Sequence, residues 1–341
     1  MSKHKKIAIL TAGGDCPGLN AAIRGVGKTA IVKYGMEVIG ISSGFLGLLD
    51  KEYFPLEENM LSGLLTEGGT ILGTSREKPF KKSKRHNIDK PNRIKETYNE
   101  LGLDCLVCIG GNGTQKTAAL LVEEGLNIIG IPKTIDNDVW GTDQTFGFDS
   151  ALGICTDAID RLHSTANSHK RIMVIEIMGH RAGWLALYSG LAGGGDVILI
   201  PELNYSMEVV NNYLLKRARK KKPYSIVVVA EGIKKPSKDQ SAASYIAERI
   251  EAGTGMETRK TILGYIQRGG SPSPMDRILA TRFGAYTVDL IANENYGRMV
   301  IKKGEKIKDI KLSDVGSKLR LVPKNHKLIV KARGLDICFG G

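Results

Sequence analysis

The sequence predicts an α/β protein in which mainly parallel strands alternate with helices. Short apolar runs recur along the chain, and most are apolar on successive residues, as in parallel strands that are covered on both faces. Segments with helical spacing separate these runs, and several of the runs lead directly into glycine. This alternation is typical of a doubly wound architecture, in which helices cover both faces of a sheet.

The apolar runs that we predict as strands are, in chain order, 7–10, 38–41, 106–109, 128–131, 172–177, 197–200 and 226–229. Helices are predicted between them where apolar residues recur every three or four positions, most clearly at 152–162 and at 278–290. No low-complexity linker divides the chain. A domain boundary is expected near 140–150, just after an acidic loop, which would place that loop in a cleft between two lobes.

Composition and charge restrict the possible partners. The chain has 341 residues, of which 42% are hydrophobic, and no apolar run approaches the roughly 20 residues needed to cross a bilayer. The basic N-terminus precedes only four apolar residues, too few for a signal peptide, so we expect a cytoplasmic location and no membrane partner.

The net charge of +13 suits small polyanions or nucleic acid. Aromatic residues are 6% of the chain and do not interleave the densest basic runs, at 81–85 and 217–222, so stacking platforms for single strands are not expected. Solvated helix ends or loops explain these runs most simply. Among ligands, metabolite phosphates are favoured, and no nucleic-acid partner is expected.

The segment 132–138, which follows the predicted strand at 128–131, carries the most informative chemistry. Asp136 and Asp138 are two residues apart, a spacing that projects both carboxylates to the same side of an extended segment. Near phosphate-binding glycines, one carboxylate suits a general base and the other a magnesium anchor for phosphoryl transfer to an alcohol. By residue type alone, an Asx-rich surface turn is favoured, so the other motifs must decide.

Three glycine-rich motifs are candidate phosphate sites. G-G-D-C-P-G-L-N at 13–20 and G-G-N-G-T at 110–114 each stand between a predicted strand and a helix, where glycine lets the backbone approach an anion at a helix N-terminus. A third, at 68–76, ends in Arg76, whose planar fork suits phosphate oxygens. A loose Walker A pattern at 22–29 begins inside a predicted helix, so we interpret it as helix surface.

Several short motifs in the second half are candidate contacts for an anionic sugar, because most lie at an end of a predicted strand, where α/β sites are built. They are found at 168–171, 178–183, 230–232, 257–259 and 265–270. Their arginines suit a phosphate, and Glu231 suits sugar hydroxyls. Each fits a structural role by itself, but together they outline a sugar-phosphate site.

In this order and spacing, these segments resemble the phosphofructokinase family over about 6–300. The resemblance implies two similar three-layer α/β lobes with mainly parallel sheets and an active site in the cleft between them. It implies a phosphoryl-donor lobe at 1–145 plus about 265–315, and a fructose 6-phosphate lobe at 146–264 plus 316–341. It also implies an ATP-dependent, Mg²⁺-requiring 6-phosphofructokinase of glycolysis.

The resemblance also implies a role for individual residues. Asp136 is the base for the C1 hydroxyl of fructose 6-phosphate, and Thr134 orients that hydroxyl. Asp138 and Asn112 are the candidate metal ligands. The implied donor site is Gly14, Arg76, Glu77, Gly111, Asn112, Gly113 and Thr114, with Arg76 also catalytic. The implied substrate contacts are Thr134, Asp136, Arg171, Met178, Gly179, His180, Glu231, Arg259, Tyr265 and Arg268.

Two of these substrate contacts, Arg171 and Arg259, match arginines that reach across a subunit interface to the 6-phosphate in similar enzymes. A homotetramer with shared active sites is therefore expected. The phosphoryl donor depends on two other positions. Pyrophosphate-dependent members tend to have aspartate in place of Gly113 and lysine at the position of Lys133. Because an aspartate there obstructs a nucleotide and Gly113 leaves that room, ATP is favoured and pyrophosphate is the alternative.

Two departures from the family pattern concern catalysis. Asn112 stands where most relatives have an aspartate that assists the metal, and His180 replaces an arginine near the transferring phosphate. These residues support another alternative, a non-catalytic regulatory paralogue that binds sugar phosphate. The intact Asp136 and Asp138 count against it.

A third departure concerns regulation. Lys28, Glu58 and His163 align with effector-site arginines of bacterial members. Glu58 reverses the charge at its position, so the usual control by nucleoside diphosphate or phosphoenolpyruvate is not expected.

Overall fold

The computed structural model describes residues 5–81, 89–237, 239–316 and 318–341, so most of the basic run at 81–85 and the first four residues lie outside the described residues. Contacts divide the chain into two compact units. The first comprises 1–134, 139–150 and 268–319, and the second comprises 135–138, 151–267 and 320–341. The assignment of the phosphoryl donor to one unit and the sugar to the other stays a prediction.

The main boundary lies after residue 150, at the end of the expected range of 140–150 and five residues after the bound of 145 that the resemblance implies. Ser150 belongs with the first unit because its amide and its hydroxyl both donate to the carboxylate of Asp276, at 2.8 and 2.6 Å.

Strands and helices alternate along the chain, as predicted. The strands are β1 (Lys6–Ala12), β2 (Glu37–Ile41), β3 (Tyr53–Pro55), β4 (Cys105–Gly110), β5 (Ile128–Pro132), β6 (Ile172–Ile177), β7 (Val197–Leu199), β8 (Ser225–Ala230), β9 (Thr258–Ile262), β10 (Arg298–Lys303) and β11 (Lys306–Lys311). The helices are α1 (Leu19–Lys28), α2 (Phe45–Asp50), α3 (Lys90–Glu100), α4 (Asn112–Glu123), α5 (Phe148–His169), α6 (Trp184–Ala192), α7 (Met207–Arg219), α8 (Ala242–Thr254), α9 (Pro274–Ala292) and α10 (Lys327–Gly334). None of the described helices is long and apolar enough to cross a membrane.

The sheet of the first unit has the order β11-β10-β5-β4-β1-β2-β3, parallel except at its two edge strands. Its central strands are buried along their length, which explains their unbroken apolar sequences. In the register of these strands, Ala12 pairs with Gly110 and Gly110 pairs with Pro132. The carboxyl ends of β1, β4 and β5 are therefore level, and the loops that follow them emerge side by side.

The second unit contains a four-stranded, entirely parallel sheet in the order β7-β8-β6-β9. Ile177 at the end of β6 pairs with Ala230 at the end of β8, so the segments that follow these strands are neighbours. At the opposite ends, Ile172 pairs with Thr258. The predicted parallel α/β architecture is confirmed in both units.

The Walker A-like segment at 22–29 lies mainly in α1, as predicted, but its interpretation as helix surface is wrong. Ile23, Gly25, Val26 and Gly27 are buried. A Cβ at Gly25 would lie 3.0 Å from the carbonyl oxygen of Thr281 in α9. The small residues of this segment therefore allow two helix backbones to pack closely.

Candidate functional site

The first glycine motif forms a tight turn after β1. Gly13 has a φ of +87°, which favours glycine, and its amide donates to the carbonyl of Ser75 at 2.9 Å. A Cβ at Gly14 would lie 2.6 Å from Nη1 of Arg268, a nitrogen that donates to the carbonyl of Asp15 at 3.0 Å. The structure thus places Arg268, a predicted sugar contact, against the predicted donor loop of its own unit.

The second glycine motif lies where β4 enters α4, and Gly111 is the N-cap of that helix. A Cβ at Gly110 would approach Oγ1 of Thr114 to 2.2 Å, so only glycine fits there. Thr114 in turn donates to the carbonyl of Ala12 at 3.3 Å. A Cβ at Gly113, in contrast, would meet no described atom within 4 Å, so this glycine borders open space at the helix N-terminus.

Gln115, which the sequence did not single out, joins the strands beneath this motif. Its side-chain amide donates to the carbonyls of Gly110 and Ile131, both at 2.9 Å, and the residue is fully buried. It therefore holds the ends of β4 and β5 in register.

Arg76 and Glu77 follow the third glycine motif. Arg76 is exposed, whereas Glu77 accepts a hydrogen bond from the buried Lys90 at 2.6 Å. Lys90 begins α3 and was not among the predicted site residues. The ion pair fixes the backbone next to Arg76 and leaves the guanidinium in solvent.

The entrance of the acidic loop belongs to the first unit. Lys133 is only 3% exposed, and its ammonium donates to the carbonyl of Gly14, while its backbone amide donates to Gly110 at 3.0 Å. The carbonyl of Thr134 accepts a hydrogen bond from Thr145 at 2.7 Å. Lys133 therefore connects the loop entrance to the first glycine motif.

The remainder of the acidic loop, Ile135 to Asp138, is a turn within the second unit, and Asn137 has a left-handed φ of +53°. The expectation of an extended segment is therefore wrong. Asn137 is buried and Asp138 is 5% exposed, which also contradicts the alternative of a surface turn. Asp136 is half-buried.

Glu231 organises the turn that follows β6. Its Oε1 accepts hydrogen bonds from the amides of Gly179 and His180, at 3.1 and 2.7 Å. The amide of Met178 donates to the buried Gln267 at 3.0 Å. These predicted sugar contacts are therefore brought together at the carboxyl ends of β6 and β8.

Gln267, which lies within the predicted motif at 265–270, is a further residue that sequence analysis did not single out. Its Oε1 also accepts from the thiol of Cys155 at 3.1 Å, and its amide donates to the carbonyl of Gly264 at 3.1 Å. Nearby, Tyr265 is 75% exposed, so its ring is available to a ligand or to another chain.

Arg171 and Arg259 lie at the other end of the same sheet. Both pair with Glu257, Arg171 through a hydrogen bond of 2.6 Å, and this bond helps to lower the pKa of the Glu257 carboxyl. Arg171 and Met178 flank the whole length of β6, a separation of roughly 20 Å at the rise of a strand. The arginines of one chain are therefore remote from its own Met178–His180 turn.

The described residues contain no group of three or more His, Cys, Asp or Glu side chains that could hold a metal. Magnesium needs no such group, because it keeps several waters and binds through one or two carboxylates and phosphate oxygens. Hard oxygen atoms are available in the carboxylate of Asp138, which is a buried residue, and in the side-chain amide of Asn112. Their chemistry fits magnesium.

The three positions aligned with an effector site have partners of their own. Lys28 forms an ion pair with Glu58 at 3.5 Å. The ring of His163 makes hydrogen bonds with the hydroxyl of Tyr224 at 2.9 Å and the carbonyl of Gly193 at 2.6 Å. The loss of the usual effector control stays a prediction.

Comparisons with known proteins relate the chain to one family. A profile of the family described as Phosphofructokinase matches residues 6–291. An ATP-dependent 6-phosphofructokinase 3 of Bacteroides thetaiotaomicron is 62% identical, over 98% of this chain and 100% of that protein. An ATP-dependent 6-phosphofructokinase of Spirochaeta thermophila is 53% identical, with 98% of each chain covered.

A pyrophosphate–fructose 6-phosphate 1-phosphotransferase of Streptomyces coelicolor is 45% identical, over 93% of this chain and 96% of that one. Among solved structures, phosphofructokinase from Saccharomyces cerevisiae superposes with a TM-score of 0.81 and 33% identity, over 91% of this chain and 45% of the yeast chain.

Proposed function

This chain belongs to the phosphofructokinase family, and we propose that it is a 6-phosphofructokinase that transfers the γ-phosphoryl group of ATP to the C1 hydroxyl of fructose 6-phosphate. The relatives from Bacteroides and Spirochaeta, which align with nearly the whole chain, are named for ATP-dependent activity. We expect the product, fructose 1,6-bisphosphate, to enter glycolysis in the cytoplasm.

The observation that carries the choice of ATP is the open space beside Gly113. A nucleoside adds bulk beyond the phosphates, and this bulk needs room next to the glycine motif at the N-terminus of α4. An aspartate at this position would project into that space and obstruct the nucleotide by its bulk and charge. Gly113 leaves the space unobstructed and uncharged, which supports ATP as the donor.

Donor binding would use the amides of the glycine motifs. At the N-terminus of α4, the backbone amides and the helix dipole favour a polyphosphate, and Gly111 and Gly113 let it approach closely. The exposed guanidinium of Arg76, next to the anchored Glu77, would stabilise the charge that develops on the transferring group. When bound, magnesium would supply further neutralisation of phosphate charge, with Asp138 and Asn112 as its candidate ligands.

Asp136 would act as the general base. As the bond from the C1 oxygen to the γ-phosphorus forms and the bond to the β-phosphate oxygen breaks, the hydroxyl proton passes to the carboxylate of Asp136. Thr134 would orient the hydroxyl. The Met178–His180 turn, Glu231 and Tyr265 would contact the sugar.

The placement of the arginines supports the expected homotetramer with shared sites. Arg171 and Arg259 lie about the length of a strand away from the Met178–His180 turn of their own chain. A 6-phosphate bound beside that turn would therefore meet the arginines of a partner subunit. Light scattering coupled to size-exclusion chromatography tests this proposal, which a monomer in solution would contradict.

Pyrophosphate is the second candidate donor, and Lys133 is the observation that favours it. Its ammonium lies beside the first glycine motif, where it already contacts the carbonyl of Gly14. An ammonium carries three N–H donors and a positive charge, which suit a diphosphate. Relatives such as the Streptomyces protein are named for this activity.

One assay decides between the candidates. The purified protein is incubated with fructose 6-phosphate and Mg²⁺, and product is measured with ATP and, separately, with pyrophosphate. We expect turnover with ATP. Turnover with pyrophosphate alone would overturn the choice of donor, and inactivity with both donors, despite binding of fructose 6-phosphate, would favour the regulatory paralogue.

A further inference from the structure

Arg320, which lies 182 residues after Asp138 in the sequence, contacts the acidic loop directly. Its Nη1 donates to the carbonyl of Asn137 at 2.9 Å, and its backbone amide donates to the carbonyl of Asp138 at 2.8 Å. One residue therefore holds two successive peptide groups of the loop. Both carbonyls lie in the part of the loop that carries the two carboxylates.

Arg320 is itself held in place by α6. Its guanidinium lies 3.9 Å from the centroid of the Trp184 ring, and the indole Nε1 of Trp184 donates to the carbonyl of Arg320 at 2.8 Å. Glu202 accepts hydrogen bonds from the amide of Gly183, next to Trp184, and from the amide of Val322, two residues after Arg320, each at 2.9 Å. It therefore joins the two segments that carry Trp184 and Arg320. The guanidinium position is therefore set by stacking and by backbone contacts.

The hydrogen bonds from Arg320 act on a part of the loop whose backbone conformation is unfavourable by itself. Asn137 adopts a left-handed conformation, which asparagine tolerates better than most residues but which remains less favourable than a right-handed one. This conformation orients the carbonyl of Asn137, which accepts the hydrogen bond from the guanidinium of Arg320. Loss of this hydrogen bond would allow the peptide between Asn137 and Asp138 to rotate, and the neighbouring carboxylates would move with it.

We propose that Arg320 is a positioning residue that fixes the orientation of the Asp136–Asp138 loop through its guanidinium and couples that loop to the start of α6. For turnover, this proposal rests on the proposed function, because Asp136 acts there as the base. Lysine is a poor replacement, since it lacks the planar group that stacks on Trp184 while donating to Asn137.

The first test compares Arg320→Ala with Arg333→Ala. Arg333 is a matched control, because its guanidinium also faces an aromatic ring, that of Phe339, and donates to a backbone carbonyl, that of Gly341. For Arg320→Ala we expect kcat to fall by roughly 100-fold, the size of effect that a misplaced catalytic group produces, while the KM for ATP changes less than about twofold. Arg333→Ala should resemble the wild type.

Chemical rescue separates positioning from general destabilisation. Added guanidinium, at concentrations far below those that unfold proteins, should restore part of the kcat of Arg320→Ala and leave Arg333→Ala unchanged. Arg320→Lys, which retains the charge and the backbone hydrogen bond to Asp138, should have a reduced kcat at a normal melting temperature. If Arg320→Ala does not fold, Arg320→Lys still tests the proposal.

Hydrogen–deuterium exchange of the peptide covering 133–140 tests the loop without any activity assay. Exchange should be faster in Arg320→Ala and Arg320→Lys than in the wild type and in Arg333→Ala. Unchanged exchange and unchanged kcat in both Arg320 variants would overturn the proposal. If the wild type is inactive with both donors, the proposed function fails, and the exchange experiment still decides the role of Arg320.

Discussion

Glu231 and Glu257 show how the surroundings give one residue type two roles. Glu231 accepts two backbone amides and thereby shapes the Met178–His180 turn, so its Oε1 is used for structure. Glu257 instead pairs with Arg171 and Arg259 at the surface. We infer that Glu257 keeps the two guanidiniums together before a phosphate arrives.

Replacement of Asp136 by asparagine tests the proposed base. The amide side chain would keep the size of the carboxylate but could not accept the proton, so kcat should fall by ~10²–10⁴-fold with little change in the melting temperature. Steady-state kinetics with the active donor provide the measurement. Asp157→Asn, at an exposed position in α5, is the control, and near-normal turnover of Asp136→Asn would show that another group is the base.

Replacement of Arg259 by methionine tests the phosphate contact. Because a hydrogen bond to a charged group contributes about 1.5–3 kcal/mol, the KM for fructose 6-phosphate should rise by roughly 10–100-fold, and the KM for ATP should not change. Arg249→Met serves as the control, because Arg249, whose guanidinium lies beside the Tyr245 ring in α8, is not among the predicted substrate contacts. An equal effect of both variants on fructose 6-phosphate would contradict the assignment.

At the scale of elements, the level carboxyl ends of β1, β4 and β5 bring the site together. The first two glycine motifs and the acidic loop each follow one of these strands, and hydrogen bonds of Gln115, Thr114 and Lys133 connect the strand ends. Sequence analysis missed four strands, β3, β9, β10 and β11. Three of them, β3, β9 and β11, are edge strands with partly exposed residues.

Replacement of Gly113 by aspartate tests the N-terminus of α4 as the donor site. A carboxylate in the first turn suits the helix dipole and meets no described atom, so folding should be unaffected. Activity with ATP should fall by roughly 100-fold or more, because like charges brought together cost several kcal/mol.

Gly153→Asp is the control for the Gly113 experiment, because Gly153 is also helical and also borders open space. Any activity with pyrophosphate should be less affected than activity with ATP. If Gly113→Asp retained full ATP activity, the nucleotide would have to bind elsewhere.

At the scale of the whole molecule, the chain passes between the two units several times, since the second unit comprises three separate segments, 135–138, 151–267 and 320–341. Asp276, at the start of α9, is fully buried and holds Ser150, the last residue before the second of these segments. Burial raises the pKa of its carboxyl to about 6, against the opposing effect of the hydrogen bonds from Ser150.

The raised pKa of Asp276 predicts how stability depends on pH. An unfolded aspartate titrates near pH 4, so between about pH 4 and pH 6 the folded state holds a proton that the unfolded state has lost. The contribution of this group to the free energy of unfolding therefore decreases as pH rises through that window, by about 2–3 kcal/mol. Urea unfolding at fixed protein concentration measures the slope.

Asp276→Asn should flatten this slope relative to the wild type, because its side chain cannot titrate, and Asp157→Asn should not. Equal slopes in the wild type and in Asp276→Asn would show that Asp276 does not titrate in this range.

The sequence by itself determined the parallel α/β class, the seven main strands, the family and the glycine motifs with the acidic loop. These features depend on local properties, namely apolar runs, helical spacing and glycine at the ends of strands, and each can be recognised within about a dozen neighbouring residues. The motifs were specific because several of them occur together in a fixed order.

Only the tertiary structure decided which residues hold the site in place. Gln115 needs β5, Gln267 needs the end of β6, and Arg320 needs a loop 183 positions earlier, at Asn137. It also showed that the acidic loop is a buried turn and that Arg171 lies a strand's length from Met178. Such contacts join residues that are far apart in the chain, so no local pattern in the sequence records them.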